Sequence, residues 1–156
     1  MARMSRKKIP VETYQTYIFE IVDWEPSYLL SLNSGKHDDR LYWESLGVRI
    51  SAKCVFPTKY AGLPSEIHLF GDRNMLNPEI LKYDKEWKPR CVGSLRVEAA
   101  EMHYDAALPH DLMPSLLAML RAERSRYVLL HGETVRRGKS LCRSFEIQRA
   151  VNLDDY

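Results

Sequence analysis

Between Leu46 and Phe56 the chain alternates with period two. Leu46, Val48, Ile50, Ala52, Cys54 and Phe56 share one side, and Gly47, Arg49, Ser51, Lys53 and Val55 share the other. A helix would scatter the first set around its circumference, whereas a strand places it on one face. The segment therefore needs a sheet with a core on one side and mostly water on the other. Pro57 stops the run, because proline brings no N–H to a ladder.

Other segments point the same way. Tyr14 to Trp24 is rich in β-branched and aromatic residues, with apolar side chains in both phases, which suits a strand covered on both faces. Glu25-Pro26 is read as its end, Tyr28 to Leu32 as a short second strand, and Asn33-Ser34-Gly35 as a turn. Glu66–Gly71 has Ile67 and Leu69 in one phase. Arg90 to Tyr104 reads as one long strand whose apolar phase shifts from Leu95 and Val97 to Met102 and Tyr104, suggesting a bulge near Ala99-Ala100. Tyr127 to Val135 and Leu141 to Ala150 are strands joined by Arg136-Arg137-Gly138-Lys139, with Gly138 suited to a left-handed position.

Two segments break the pattern. Met113, Leu116, Leu117 and Leu120 follow helical spacing, so one amphipathic helix is expected near 111–124, capped by Asp111, with Pro114 tolerated in its first turn. Its apolar stripe is the face expected to dock on the sheet. Residues 72–89 form a long connection in which Asn77-Pro78-Glu79 resembles a short helix start; Trp87 is expected to pack. Seven or so strands with one helix predict a mainly β fold, a β-sandwich or open barrel, with α+β as the alternative. At 156 residues a single domain over 1–156 is expected, with 1–10 a flexible basic arm and 151–156 a frayed tail.

The net charge of +2 hides a segregation. Residues 1–8 carry +4, residues 9–120 carry −5, residues 121–149 carry +5 and the last seven carry −2. A basic stretch of this kind can steer an acidic partner. No apolar run is long enough to span a membrane, and the basic N-terminus lacks the apolar core of a secretory signal. Cys54, Cys91 and Cys142 have neither CxxC nor metal spacing, and an odd count fits reduced thiols in the cytoplasm. Cys54 lies in the apolar phase of its strand and is read as a packed thiol.

Motifs for chemistry are sparse. There is no phosphate-binding glycine loop, nucleophile elbow or HExxH. No two of the five histidines stand at ligand spacing; His68, His103 and His131 lie on expected strands, and Glu101 and His103 form a local acid–histidine pair. No cofactor, metal or catalytic residue is assigned. The basic residues Arg124, Arg126, Arg136, Arg137, Lys139 and Arg143 are the candidate binding set, with Tyr127 and Phe145 among them as stacking surfaces. Arg143 is the odd member, since it shares parity with Leu141, Phe145 and Ile147. The leading expectation is a non-enzymatic binding module that takes a protein partner or a second copy of itself. Nucleic-acid binding through the basic hairpin is one alternative, and an enzyme or small-ligand site near residues 72–89 is the other.

Overall fold

The computed structural model describes residues 13–32, 42–73, 75 and 91–156. The expected basic arm, the Asn33-Ser34-Gly35 turn, the helix start at Asn77 and Trp87 lie outside them. Five strands come first: β1 (Tyr14–Leu32), β2 (Tyr42–Phe56), β3 (Pro64–Asp72), β4 (Gly93–Val97) and β5 (Met102–Pro109). Helix α1 (Met113–Arg121) follows, then β6 (Tyr127–Glu133) and β7 (Lys139–Gln148). The strands form a barrel in the order β1-β2-β3-β5-β4-β7-β6, with β6 returning to β1. The mainly β class with one helix is what the chain adopts, and the barrel is closed rather than open. Neighbours are antiparallel except β3 and β5, which run parallel.

Alternate residues of the strands fill the interior. Tyr17 and Phe19 come from β1, Val48, Ile50, Ala52 and Cys54 from β2, and Ile67 and Leu69 from β3. Leu95, Tyr104, Leu130 and Cys142 complete the ring from the other strands. Helix α1 closes the end where β3 and β5 finish, burying Met113, Leu116 and Leu120 as their spacing required. Tyr60 fills the opposite end, its ring 6.5 Å from that of Tyr17.

Three local expectations need correction. First, β1 does not stop at Glu25-Pro26; Pro26 pairs in register with Val48, so Tyr28–Leu32 is a continuation of the same strand. β1 pairs with β6 only as far as Glu20, leaving Pro26 on a stretch of edge, where a missing N–H is tolerated. Second, Arg90 to Tyr104 is not one bulged strand. Glu98-Ala99-Ala100-Glu101 reverses the chain, with the Glu98 N–H donating to the Glu101 carbonyl at 2.9 Å, and β4 then pairs with β5. Third, Asp111 does not cap the helix. It lies in a 3-10 turn, His110–Leu112, that leads into α1, and Leu112 at the cap position makes no side-chain bond.

The last residues, expected to fray, form a 3-10 turn at Leu153–Asp155 whose Asn152 side chain accepts the Asp154 N–H at 3.3 Å. The Tyr156 ring stands 6.3 Å from Phe56. Phe56, Ile18 and Leu129 lie in one row across β2, β1 and β6, and Ile18 and Leu129 are buried although they stand between inward-facing neighbours. Among the described residues no helix is long and apolar enough to cross a membrane.

Candidate functional site

The structure divides the six basic residues. Arg124 and Arg126 lie in the loop between α1 and β6, at the helix end of the barrel. Arg126 is tied to Glu20 at 3.0 Å and stands 5.8 Å from the Tyr127 ring. Arg136 and Arg137 belong to the β6–β7 connection and Lys139 opens β7, at the other end, roughly 20 Å away along β6. Arg136 and Lys139 exchange backbone bonds of 2.9 and 3.0 Å around Arg137 (φ 51°) and Gly138 (φ 74°). Positive φ at both central residues defines the two-residue hairpin turn that matches strand twist.

Arg143 joins this second group by way of a bulge. Gly132 pairs with Cys142 and His131 with Ser144, so Arg143 has no directly opposed residue on β6. Before the bulge Ser140 and Cys142 are buried; after it Phe145 and Ile147 pack on the core. Arg143 and Leu141 are thereby turned outward, overturning the shared parity with Phe145 and Ile147 read from the sequence. Lys139, Leu141 and Arg143 now line the outer face of β7.

The Arg143 guanidinium carbon lies 4.5 Å from the centroid of the Tyr14 ring. Tyr14 also stacks with His131, centroids 5.9 Å apart and planes within 22°. Thr16 Oγ1 and His131 Nδ1 are 3.2 Å apart. Thr16, His131 and Ser144 form one row across β1, β6 and β7. Over that row lies a concavity of about 320 Å³ bordered also by Glu146 and Tyr156.

The opposite outer face consumes its own charges. Arg49 binds Glu25 and Glu66, both at 3.1 Å; His68 contacts Glu66 and, at 3.3 Å, Asp105; Asp105 holds Arg96 at 3.1 Å. The hydrogen bond with His68 is the main reason the Glu66 carboxyl sits below its ordinary range. This band crosses β1, β2, β3, β5 and β4 and holds His68 and His103, whereas His131 stands apart on β6. Among the described residues, donor atoms of Glu98, Glu101 and His103 lie within 4.8 Å of one another at the β4–β5 turn, with His103 Nε2 3.0 Å from Glu101 Oε1.

Buried polar groups are held neutral. Burial pushes the Cys54 thiol up to about 11 and that of Cys142 to about 12, and raises the Tyr17 and Tyr104 phenols. Cys54 is thus the packed, unactivated thiol its strand phase suggested. Of the 72–89 connection, Asp72 and Arg73 border a concavity of about 370 Å³ with Pro109, His110 and Asp111.

A further feature was signalled in the sequence only as a short strand at Tyr28–Leu32. Beyond Glu20 β1 leaves β6, and before Gly47 β2 has not yet met β3, so among the described residues 27–32 and 42–46 pair only with each other, as a two-stranded ribbon rooted at Leu46, which still packs against the core. Tyr28, Leu29 and Leu30 on it are 61%, 49% and 57% exposed.

The fold and its surfaces define a closed seven-stranded β-barrel with a helical plug and a projecting ribbon. Comparison with models of known families, with curated proteins and with solved structures gave no match.

Proposed function

We propose that this barrel is a non-enzymatic binding module that engages another polypeptide, a partner protein or a second copy of itself, through the β1–β2 ribbon. The exposure of Tyr28, Leu29 and Leu30 on a two-stranded ribbon carries the reading. Two strands alone are marginally stable in water, and the ribbon exposes Tyr28 and Leu30 on one face and Leu29 on the other, large apolar groups of the kind that mark interaction surfaces. Tyrosine in particular is enriched at the centres of interfaces. The edge nearest the barrel is blunted against strand addition: Asp23 Oδ1 accepts the Trp24 N–H at 2.8 Å, and Pro26 has none to give. Contact is therefore made by the ribbon's faces and its outer half. The free thiols Cys54 and Cys142, both buried, suit a reducing cytoplasm.

A photo-reactive residue at Leu29 tests this in cells expressing the protein, alongside sedimentation of the pure chain. The expected result is an adduct of discrete mass at position 29, absent when the probe replaces exposed Lys53 and lost in the Leu30→Glu variant. A chain that sediments as a monomer at every concentration and gives no adduct at position 29 refutes the proposal.

A further inference from the structure

We infer a second binding site on the opposite side of the barrel: the Tyr14–Arg143–His131 stack and the adjoining concavity form a site for a nucleotide unit. The site lies roughly 40 Å along β1 from the ribbon and does not depend on it.

Three observations converge. The first is the stack itself. Arg143 is displaced from its strand's apolar phase by the β7 bulge and brought within 4.5 Å of the centroid of the Tyr14 ring, with which His131 also stacks. Stacked aromatic rings and guanidinium planes are the surfaces that nucleobases use, because every base has a π-face. The second is the concavity of about 320 Å³, at the lower end of the range for small-ligand sites. It offers the hydroxyls of Thr16 and Ser144, the imidazole of His131 and the carboxylate of Glu146. That mixture suits a base edge or ribose carrying both donors and acceptors. The third is the basic row beside it. Lys139 lies on the same outer face of β7, four residues or about 13 Å from Arg143, and the Arg136-Arg137 turn continues the row. A row of cations leading to a stacking platform tracks the backbone of a single strand.

A free mononucleotide and a single-stranded oligonucleotide present the same unit, and the test separates them. Fluorescence anisotropy of labelled ten-residue single-stranded RNA and DNA at 50 mM salt is run beside calorimetry with adenosine monophosphate, using the full chain. The expected result is saturable binding that Tyr14→Ala weakens about 5- to 150-fold, the range for one stacked base. Arg143→Lys keeps the charge and loses the plane, and is expected to weaken binding at least 5-fold. Thermal melting of both variants shows that they remain folded, and Arg143→Lys alone carries the test if Tyr14→Ala does not. Binding of the monophosphate with no gain for the oligomer assigns a free nucleotide; tighter binding of the oligomer, with a salt slope reduced in Lys139→Ala, assigns a strand. No binding of either ligand overturns the inference. So does equal binding of a polyglutamate peptide, or binding unchanged by Arg143→Lys, because either result reveals affinity for negative charge alone.

Discussion

Replacing Tyr17 by Phe removes one oxygen from inside the barrel, and its consequence can be worked out from the contacts. The phenol donates to the Glu133 carbonyl at 2.8 Å and accepts the Val135 N–H at 3.0 Å. These residues flank the end of β6, so a group on β1 fastens the root of the connection that carries Arg136 and Arg137. Phenylalanine fills nearly the same volume. It leaves the Val135 N–H without its acceptor, while the Glu133 carbonyl keeps the Ser140 hydroxyl. A made hydrogen bond is worth about 1 kcal/mol, and a stranded buried donor costs about 1–3 kcal/mol. Val135 is only partly buried, so water recovers some of this and about 2 kcal/mol is expected. With a urea dependence of about 2 kcal/mol/M, the unfolding midpoint falls by about 1 M. Urea titration followed by circular dichroism reads the shift, and hydrogen exchange reads the Val135 amide, which should lose its protection. Ser140→Ala is the control and should cost less, since Tyr17 still holds Glu133. A midpoint within about 0.3 M of wild type, with the Val135 amide still protected, would refute the reasoning.

Four further outcomes are expected. Arg137 holds a left-handed φ that asparagine adopts more readily, so Arg137→Asn should stabilise the fold by about 0.5–1 kcal/mol, measured by chemical denaturation. Cys54 and Cys142 have folded values near 11 and 12 against about 9 when unfolded; stability is therefore full below pH 9 and lost as pH rises through 11 and 12, with the buried Tyr17 phenol acting in the same direction. Urea midpoints at pH 8, 10 and 11 should show that decline, and it should be shallower in Cys142→Ala. A thiol-specific aromatic disulfide should label exposed Cys91 rapidly in the native protein and all three cysteines only in denaturant. A Cβ at Gly93 would fall 2.5 Å from the Tyr104 hydroxyl and 2.6 Å from the Asp105 carbonyl, so Gly93→Ala should cost about 3 kcal/mol or abolish folding, visible as loss of the cooperative melt.

The seven strands expected from the sequence and the seven observed are not the same seven. Tyr14–Trp24 and Tyr28–Leu32 fuse into β1, and Arg90–Tyr104 divides into β4 and β5. The fusion was hidden because Pro26 is a strong stop signal, and only the unpaired edge created by barrel closure makes it harmless. The division was hidden because Glu98-Ala99-Ala100-Glu101 contains no glycine, proline or asparagine to mark a turn. The β2 alternation and the Met113–Leu120 spacing were legible because burial on one face dictates them directly. At the site, the Arg136–Lys139 turn was legible from its glycine and charges. The partnership of Arg143 with Tyr14 and His131 was not. It depends on a bulge and on the β1–β6 pairing, which brings together residues such as Thr16 and His131, 115 positions apart.

That pairing has a kinetic consequence. The β1–β2, β2–β3, β4–β5 and β6–β7 pairs join strands that follow one another along the chain, whereas β3–β5, β4–β7 and β1–β6 do not, and β1–β6 joins the most distant of them. The entropy of closing so long a loop must be met before the contact returns any energy, which places folding in the millisecond-to-second range of non-local β topologies. Until the seam forms, β1 and β6 are both edges, and a neighbouring chain's β6 can occupy the place of the chain's own. The seam between Tyr14–Glu20 and Tyr127–Glu133 is therefore where a crowded nascent chain would exchange strands with its neighbour.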